Sequence, residues 1–472
     1  MPLYYESATK LRDLIRDRKI SVLELIESFL TRIDSTNPVL NAIVTRCDES
    51  AMSQAAELDR AFNPAGKPLY GLPIAVKDLA LTEGLRTTFG SPIFESFVPT
   101  EDDLFVARLR AAGAIIIGKT NTPEFGAGSQ TFNQIFGSTK NPYDPQKTCG
   151  GSSGGAAVAI ATGMLPFADG SDLGGSLRNP AAFCNVVGFR PSPGRVPNWP
   201  KQFSSEQLAV SGPMAREVTD VALLLSVMAG PDPRVPISLN EPGEIFNRPL
   251  ARGWRNTKIA FSSNLNLFEV DREISQTLEH ALPVFETLGM DIREDCPDLS
   301  SAEEIFTTLR GWMFAARFEE LLKQHREKIK DTVVWNIEQG LQLTVSDLTR
   351  AESLRSTLIA NTAKFFQDYD FLVCPSTQVL PFPIETEWIR EINGVQMSSY
   401  LGWMGICWAI TVTGCPAISL PIGFSRDGLP IGMQIVAPRG KDFELLQLAY
   451  AFEQETQHAR THPVEATITR SN

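Results

Sequence analysis

The run Gly150-Gly151-Ser152-Ser153-Gly154-Gly155 passes without interruption into Ala156-Ala157-Val158-Ala159-Ile160-Ala161. A flexible surface loop is seldom followed at once by a tightly packed helix of small residues. The run therefore reads as a built junction entering a buried helix. Its glycines permit an unusual peptide geometry, cis among the options. A second cluster follows, Asp172-Leu173-Gly174-Gly175-Ser176-Leu177-Arg178.

Outward from this junction, helical and extended patterns alternate. Residues 7–18 and 21–35 predict amphipathic helices, the second opened by a capping box of Ser21 and Glu24. Further helices are predicted at 48–62, 103–112, 215–229, 272–288, 301–326, 346–369 and 441–455. Apolar strands are predicted at Ile74–Val76, Ala114–Ile117, Lys258–Phe261 and Phe371–Cys374. Ile418–Phe424 and Leu429–Val436 flank Ser425-Arg426-Asp427-Gly428, a hairpin signal. The alternation predicts an α/β fold around a central sheet. No repeat or low-complexity linker interrupts it. The Pro- and Arg-rich stretch 230–256 is expected to be a surface excursion.

The chain has 472 residues, 43% of them hydrophobic, enough for a large core. Its net charge of −12 repels phosphate and argues against nucleic-acid binding. No apolar run is long enough to span a bilayer, and no targeting segment is visible at the N-terminus. Seven scattered cysteines without C-x-x-C suggest neither a disulfide framework nor a zinc site. A cytoplasmic location is expected.

Taken singly, the polar residues have ordinary readings. Gly-Gly-Ser is a common turn, and Lys77, after the strand Ile74–Val76, suits a solvated strand end. Their conjunction is more specific. Ser176 supplies a hydroxyl, and the glycines before it expose backbone N–H groups able to hold a developing anion. A serine needs a base. The four histidines, His280, His325, His458 and His462, lie in polar helical or tail segments away from both clusters. A lysine made neutral by burial would serve instead, and Lys77 at the end of a core strand suits that role.

Gly113-Ala114-Ile115-Ile116-Ile117-Gly118-Lys119-Thr120 satisfies the Walker A spacing, so a P-loop-type nucleotide-binding protein is a remote alternative. Its middle residues form a strand sequence, not a loop that curls round phosphate, and Pro123 stands where a helix should have begun.

The stretch from Gly150 through Gly170-Ser171-Asp172-Leu173-Gly174-Gly175-Ser176-Leu177-Arg178-Asn179-Pro180 to Gly188-Phe189-Arg190-Pro191 resembles the amidase signature family. Gly118–Phe125, Gly414–Pro421 and Gly428–Gly432 are similar to further family segments, so the resemblance spans nearly the whole chain. It implies one domain over 1–472 with a signature core at about 65–215, and a mixed central sheet covered by helices on both faces. It implies a Ser–cis-Ser–Lys triad of Ser176 as nucleophile, Ser152 as bridge and Lys77 as base, without metal or cofactor. The implied oxyanion hole is the N–H groups of Leu173, Gly174, Gly175 and Ser176, with Ser153, Asp172 and Arg178 in support. Leu173 stands where many members carry threonine, but only its N–H is needed.

The implied reaction is hydrolysis of carboxamide C–N bonds. The expected substrate is a bulky, uncharged or aromatic small-molecule amide, with aryl esters and carbamates open to the same chemistry. Tyr400–Trp408 is rich in aromatic residues, so Trp403 and Trp408, with Gln130, Phe132 and Phe136, are candidates for the pocket. A homodimer is expected by resemblance alone. The rival within the family is the glutamine-hydrolysing component of a tRNA-dependent amidotransferase. The segment 196–214, with Val196-Pro197-Asn198-Trp199-Pro200, looks more like stand-alone amidases.

Overall fold

Strands buried at every residue must be covered on both faces, and this chain has several. The computed structural model describes residues 2–469; Met1 and residues 470–472, the ends of the expected domain, lie outside the described residues. The large sheet has eight strands. In spatial order they are Asp291–Glu294, Lys258–Phe261, Phe371–Pro375, Pro430–Val436, Ala417–Phe424, Val187–Arg190, Val210–Ala215 and Phe167–Asp172. The first three run parallel and each later neighbour pairs antiparallel, so the sheet is mixed. Phe371–Pro375 and Pro430–Val436 are buried throughout, which places helical cover on both sides. One apolar core runs from Ala8 to Ile468 and makes a single domain.

A smaller sheet orders Ile43–Arg46, Ile115–Thr120 and Pro73–Lys77. It abuts the edge strand Phe167–Asp172 of the large sheet, where the Lys77 N–H donates to Asp169 Oδ1 at 3.0 Å. The strand carrying Lys77 is thus pinned to the strand that leads into Ser176.

Local signals place most elements well. The Ser21–Glu24 capping box forms, with Glu24 N–H donating to Ser21 Oγ at 3.1 Å and Ser21 N–H donating to Glu24 Oε2 at 2.8 Å. The helix expected over 272–288 divides into Arg272–Ala281 and Pro283–Thr287, since proline lacks the N–H that would continue the ladder. Most residues of the stretch 230–256 are exposed, and buried Val235, Phe246, Leu250 and Trp254 anchor it, with Leu239 N–H donating to Gly194 C=O at 3.0 Å. The Walker A spacing is not a phosphate loop. Ile115–Thr120 is a buried strand, and a side chain at Gly118 would run into the Thr45 carbonyl of its neighbour.

Candidate active site

Lys77 closes its strand with its side chain in the interior, 1% exposed. Its Nζ lies 2.8 Å from Ser152 Oγ, 2.8 Å from Ser153 Oγ and 3.0 Å from Ser171 Oγ. Burial pushes its ammonium down to about 7 against the opposing pull of Asp169 and Asp172. Burial likewise raises Asp169 to about 6.

One proton of this cluster can be assigned. The Ser153 hydroxyl donates to the Ser171 carbonyl at 3.4 Å and accepts from the Ser171 N–H at 3.3 Å. It therefore faces Lys77 as an acceptor. A neutral lysine has two N–H donors and one lone pair. With Ser153 accepting one N–H, the Ser152 and Ser171 hydroxyls, neither of which donates elsewhere among the described residues, share the other N–H and the lone pair.

The peptide Gly151–Ser152 is cis. Ser176 reaches the same junction from the other cluster, its carbonyl accepting the Ser153 N–H at 3.2 Å. This approach needs Gly170, where a Cβ would stand 2.7 Å from Ser153 Oγ. Gly175 holds φ +115°, and a Cβ there would meet Cys407 Cβ at 2.5 Å. A side chain at Gly175 would be both strained and obstructed.

Asp172 organises the second cluster. Its carboxylate accepts from Gly175 N–H at 2.9 Å and Leu177 N–H at 3.2 Å. It also accepts from Arg178 Nε and Nη2, both at 3.0 Å, and from Arg190 Nη1 at 3.2 Å. Burial would raise the Asp172 carboxyl, but the Arg178 and Arg190 guanidinium groups outweigh it and hold it well below the usual carboxylate range. Arg178 goes on to Gln434 Oε1 at 2.8 Å and Thr411 Oγ1 at 3.0 Å. Both cations and the carboxylate are wholly buried, and the charge-assisted hydrogen bonds among them fix the glycine turn.

The expected N–H array changes in one member. The Gly175 N–H is committed to Asp172, whereas those of Leu173, Gly174 and Ser176 donate to no partner among the described residues. Three N–H groups thus remain to meet an anion beside Ser176. Phe306 and Trp408 back this turn: a Cβ at Gly174 would meet Phe306 Cζ at 3.1 Å and Trp408 Cβ at 3.8 Å. Their rings stack at 5.2 Å.

A cavity of about 540 Å³ opens beside the lysine cluster and includes Ser171 in its wall. Leu79, Leu81, Phe89, Phe105, Trp199 and Phe318 give it an apolar part, and Asn198, Gln202 and Ser211 are among the polar residues that share its wall. Its proximity to Ser152 follows from Gly126, where a Cβ would lie 3.0 Å from Leu79 Cδ1 and 3.5 Å from Ser152 Oγ.

None of the five expected pocket residues lines this cavity. Trp403 packs into the core against Phe382 at 5.2 Å. Trp408 is also buried and donates Nε1–H to Leu401 C=O at 2.9 Å. Gln130 donates to Ile384 C=O at 2.9 Å. Phe132 lies under Lys330 Nζ at 4.0 Å, and Phe136 under Arg86 at 5.2 Å. Tyr400–Trp408 is apolar because all of it but Gly402 is buried, its last four residues opening the helix Gly405–Thr413. Residue-by-residue reading assigned no role to Ser171, Asp169, Arg190, Gln434 or Phe306. Arg190 alone carried a signal, as an arginine inside an apolar run.

The Amidase family profile matches residues 24–446. An acylamidase from Rhodococcus erythropolis is 34% identical over 471 residues, covering 99% of this chain and 98% of the relative. A glutamyl-tRNA(Gln) amidotransferase subunit from Alkaliphilus metalliredigens (strain QYMF) is 34% identical over 466 residues, covering 93% of this chain and 94% of the relative. Among solved structures, a bacterial aryl acylamidase of the amidase signature enzymes superposes with a TM-score of 0.91 at 29% identity, covering 98% of this chain and 100% of that one. The chain belongs to the amidase signature family. Its chemistry is amide hydrolysis.

Proposed function

We propose that the chain is a stand-alone serine amidase acting on amides with a bulky, apolar or aromatic body. The observation that carries this reading is Lys77: a buried amine near neutrality, surrounded by hydroxyls, one of which has its proton free for the lysine lone pair.

Neutral Lys77 takes the Ser152 proton while Ser152 takes that of Ser176. The Ser176 oxygen forms a bond to the amide carbon, and the carbonyl π electrons move to oxygen. The N–H groups of Leu173, Gly174 and Ser176 hold that oxyanion; one such donor is worth about 3 kcal/mol in the transition state. The relay then runs backward. Lys77 returns a proton through Ser152 to the leaving nitrogen, the C–N bond breaks, and a neutral amine departs. Water attacks the resulting ester, loses its proton to the same relay, and Ser176 is regenerated. Aryl esters and carbamates fit the same steps.

The test is a panel of a nitroanilide, an aliphatic amide, an aryl ester, an aryl carbamate and glutamine, with wild type and Ser176→Ala. Aryl substrates should be cleaved and a Ser176 acyl adduct detected by mass spectrometry. A fall of about 10⁴-fold or more is expected in the mutant. Wild-type turnover by Ser176→Ala would refute the assignment. The amidotransferase relative keeps a second reading open to test. Cleavage of glutamine alone, with co-purifying partner chains, would favour it. Cytoplasmic residence and homodimerisation accompany the proposal and are checked by fractionation and light scattering.

A further inference from the structure

The cavity beside Ser171 carries three ionisable side chains, Asp103, Lys201 and Arg317. Two of them are provided for. Lys201 Nζ pairs with Glu206 Oε2 at 2.5 Å, and the other oxygen of Glu206 accepts the N–H groups of Leu208 and Ala209 at 2.5 and 2.7 Å. Asp103 accepts the Leu81 N–H at 3.1 Å, and burial raises its carboxyl to about 7, so it carries only part of a negative charge at neutral pH. Arg317 is different. Its guanidinium makes no hydrogen bond among the described residues, and its one carboxylate neighbour, Glu206, is 3.7 Å away and already holds Lys201. Arg317 projects from the helix Ala302–His325, which also supplies Phe318 to the cavity wall and Phe306 to the turn at Gly174.

A guanidinium at the edge of a partly apolar cavity has lost part of its hydration and has five N–H donors to satisfy. A carboxylate satisfies two of them at once and neutralises the charge. Building on the amidase reading, we infer that Arg317 is a specificity-determining residue that pairs with a carboxylate on the substrate. The substrate class is then an amide with a bulky apolar body and a terminal carboxylate, replacing the uncharged amide expected from the sequence. Arg317 and Ser171 line the same cavity, and Ser171 Oγ lies 3.0 Å from Lys77 Nζ, so a substrate body filling the cavity would reach from the lysine cluster to the guanidinium.

The test uses two matched pairs in which a methyl ketone replaces the carboxylate. On the amine side the pair is 4-acetamidobenzoate and 4′-acetylacetanilide. On the acyl side it is succinanilate and 4-oxopentananilide. Binding is measured by calorimetry on the Ser176→Ala protein, so the result does not depend on turnover and remains readable if the amidase mechanism fails. In at least one pair the carboxylate should bind about tenfold or more tightly than the ketone. Adding Arg317→Gln should abolish that preference with ketone binding unchanged, and Arg317→Lys should restore part of it. In proteins that retain Ser176 the same preference should appear in KM rather than kcat. Equal binding within both pairs, failure of both carboxylates to bind, or an equal loss for both members in Arg317→Gln would overturn the proposal.

Discussion

Lys77 and Lys119 stand on neighbouring strands, both deep in the protein, and burial lowers both ammonium groups, to about 7 and about 8. The strand register puts Lys119 beside Val76 and Lys77 beside Thr120, so the pleat sends the two side chains to opposite faces. Lys77 meets three hydroxyls, and one of them has a proton to give. Lys119 donates to the Ala80 carbonyl at 2.6 Å and to Thr82 Oγ1 at 2.7 Å. A carbonyl has no proton, and the Thr82 hydroxyl donates its own to Ala80 C=O at 3.2 Å. A lowered pKa is therefore common to both lysines. The proposed role of Lys77 as base rests on its neighbours.

The sharpest way to break this comparison is to remove each amine in turn. Lys77→Met should lower kcat by about 10³-fold, since a positioned base contributes about 10² to 10⁴. Its melting temperature should also fall by several degrees, because Ser152, Ser153 and Ser171 lose their lysine partner, so kcat is the readout that separates the two variants. Retained kcat in a folded Lys77→Met protein would end the assignment of Lys77 as base.

Lys119→Met should lose stability without losing activity. It leaves the Ala80 carbonyl and Thr82 hydroxyl short of a donor, at a cost of about 1–3 kcal/mol, read as a melting temperature lower by several degrees. Its kcat should stay within about threefold of wild type. A large loss of kcat would show that the two faces of the small sheet are chemically coupled.

The pH dependence separates them further. Lys77 must be neutral to act, so kcat/KM should rise with pH through an acid limb near about 7. The limb should be present in Lys119→Met. Both lysines also couple protons to folding. Each has a folded pKa below the unfolded value of 10.5, so the unfolded state binds more protons between about 7 or 8 and 10.5. Their contribution makes stability rise with pH across that window, and Lys119→Met should flatten the rise.

The smallest expected effect is that of Ser171→Ala. It removes one hydroxyl acceptor that favours the charged ammonium of Lys77. The acid limb should move to lower pH, with a loss in kcat of a few fold. An unmoved limb would mean that Ser171 only fills the cavity wall.

Elements with strong local signals were legible. The Ser21–Glu24 cap, the hairpin around Ser425–Gly428 and the long helices each rest on interactions between residues near in sequence. The strands that frame the site were not. Phe167–Asp172 and Val210–Ala215 contain Gly170, Ser171, Gly212 and Pro213, and show no clean apolar alternation. Long-range pairing with each other and close approach to Ser153 and Leu177 make them strands and explain their small residues. The aromatic run Tyr400–Trp408 is ambiguous in sequence, because apolar residues fit a core as well as a pocket: Trp403 packs in the core, while Trp408 backs the turn at Gly174.

The sequence by itself determined the chemical inventory: hydroxyls between glycines, exposed N–H groups, a lysine at a strand end and no suitably placed histidine. Those features depend on residue type and short spacing. Only the tertiary structure decided that Lys77 meets three serine hydroxyls while Lys119 meets a carbonyl and one threonine hydroxyl, that Arg190 joins Arg178 on Asp172, and that Arg317 faces a cavity while Trp403 does not. Each of these depends on register, burial and charge neutralisation among residues far apart in the chain, which local spacing does not encode.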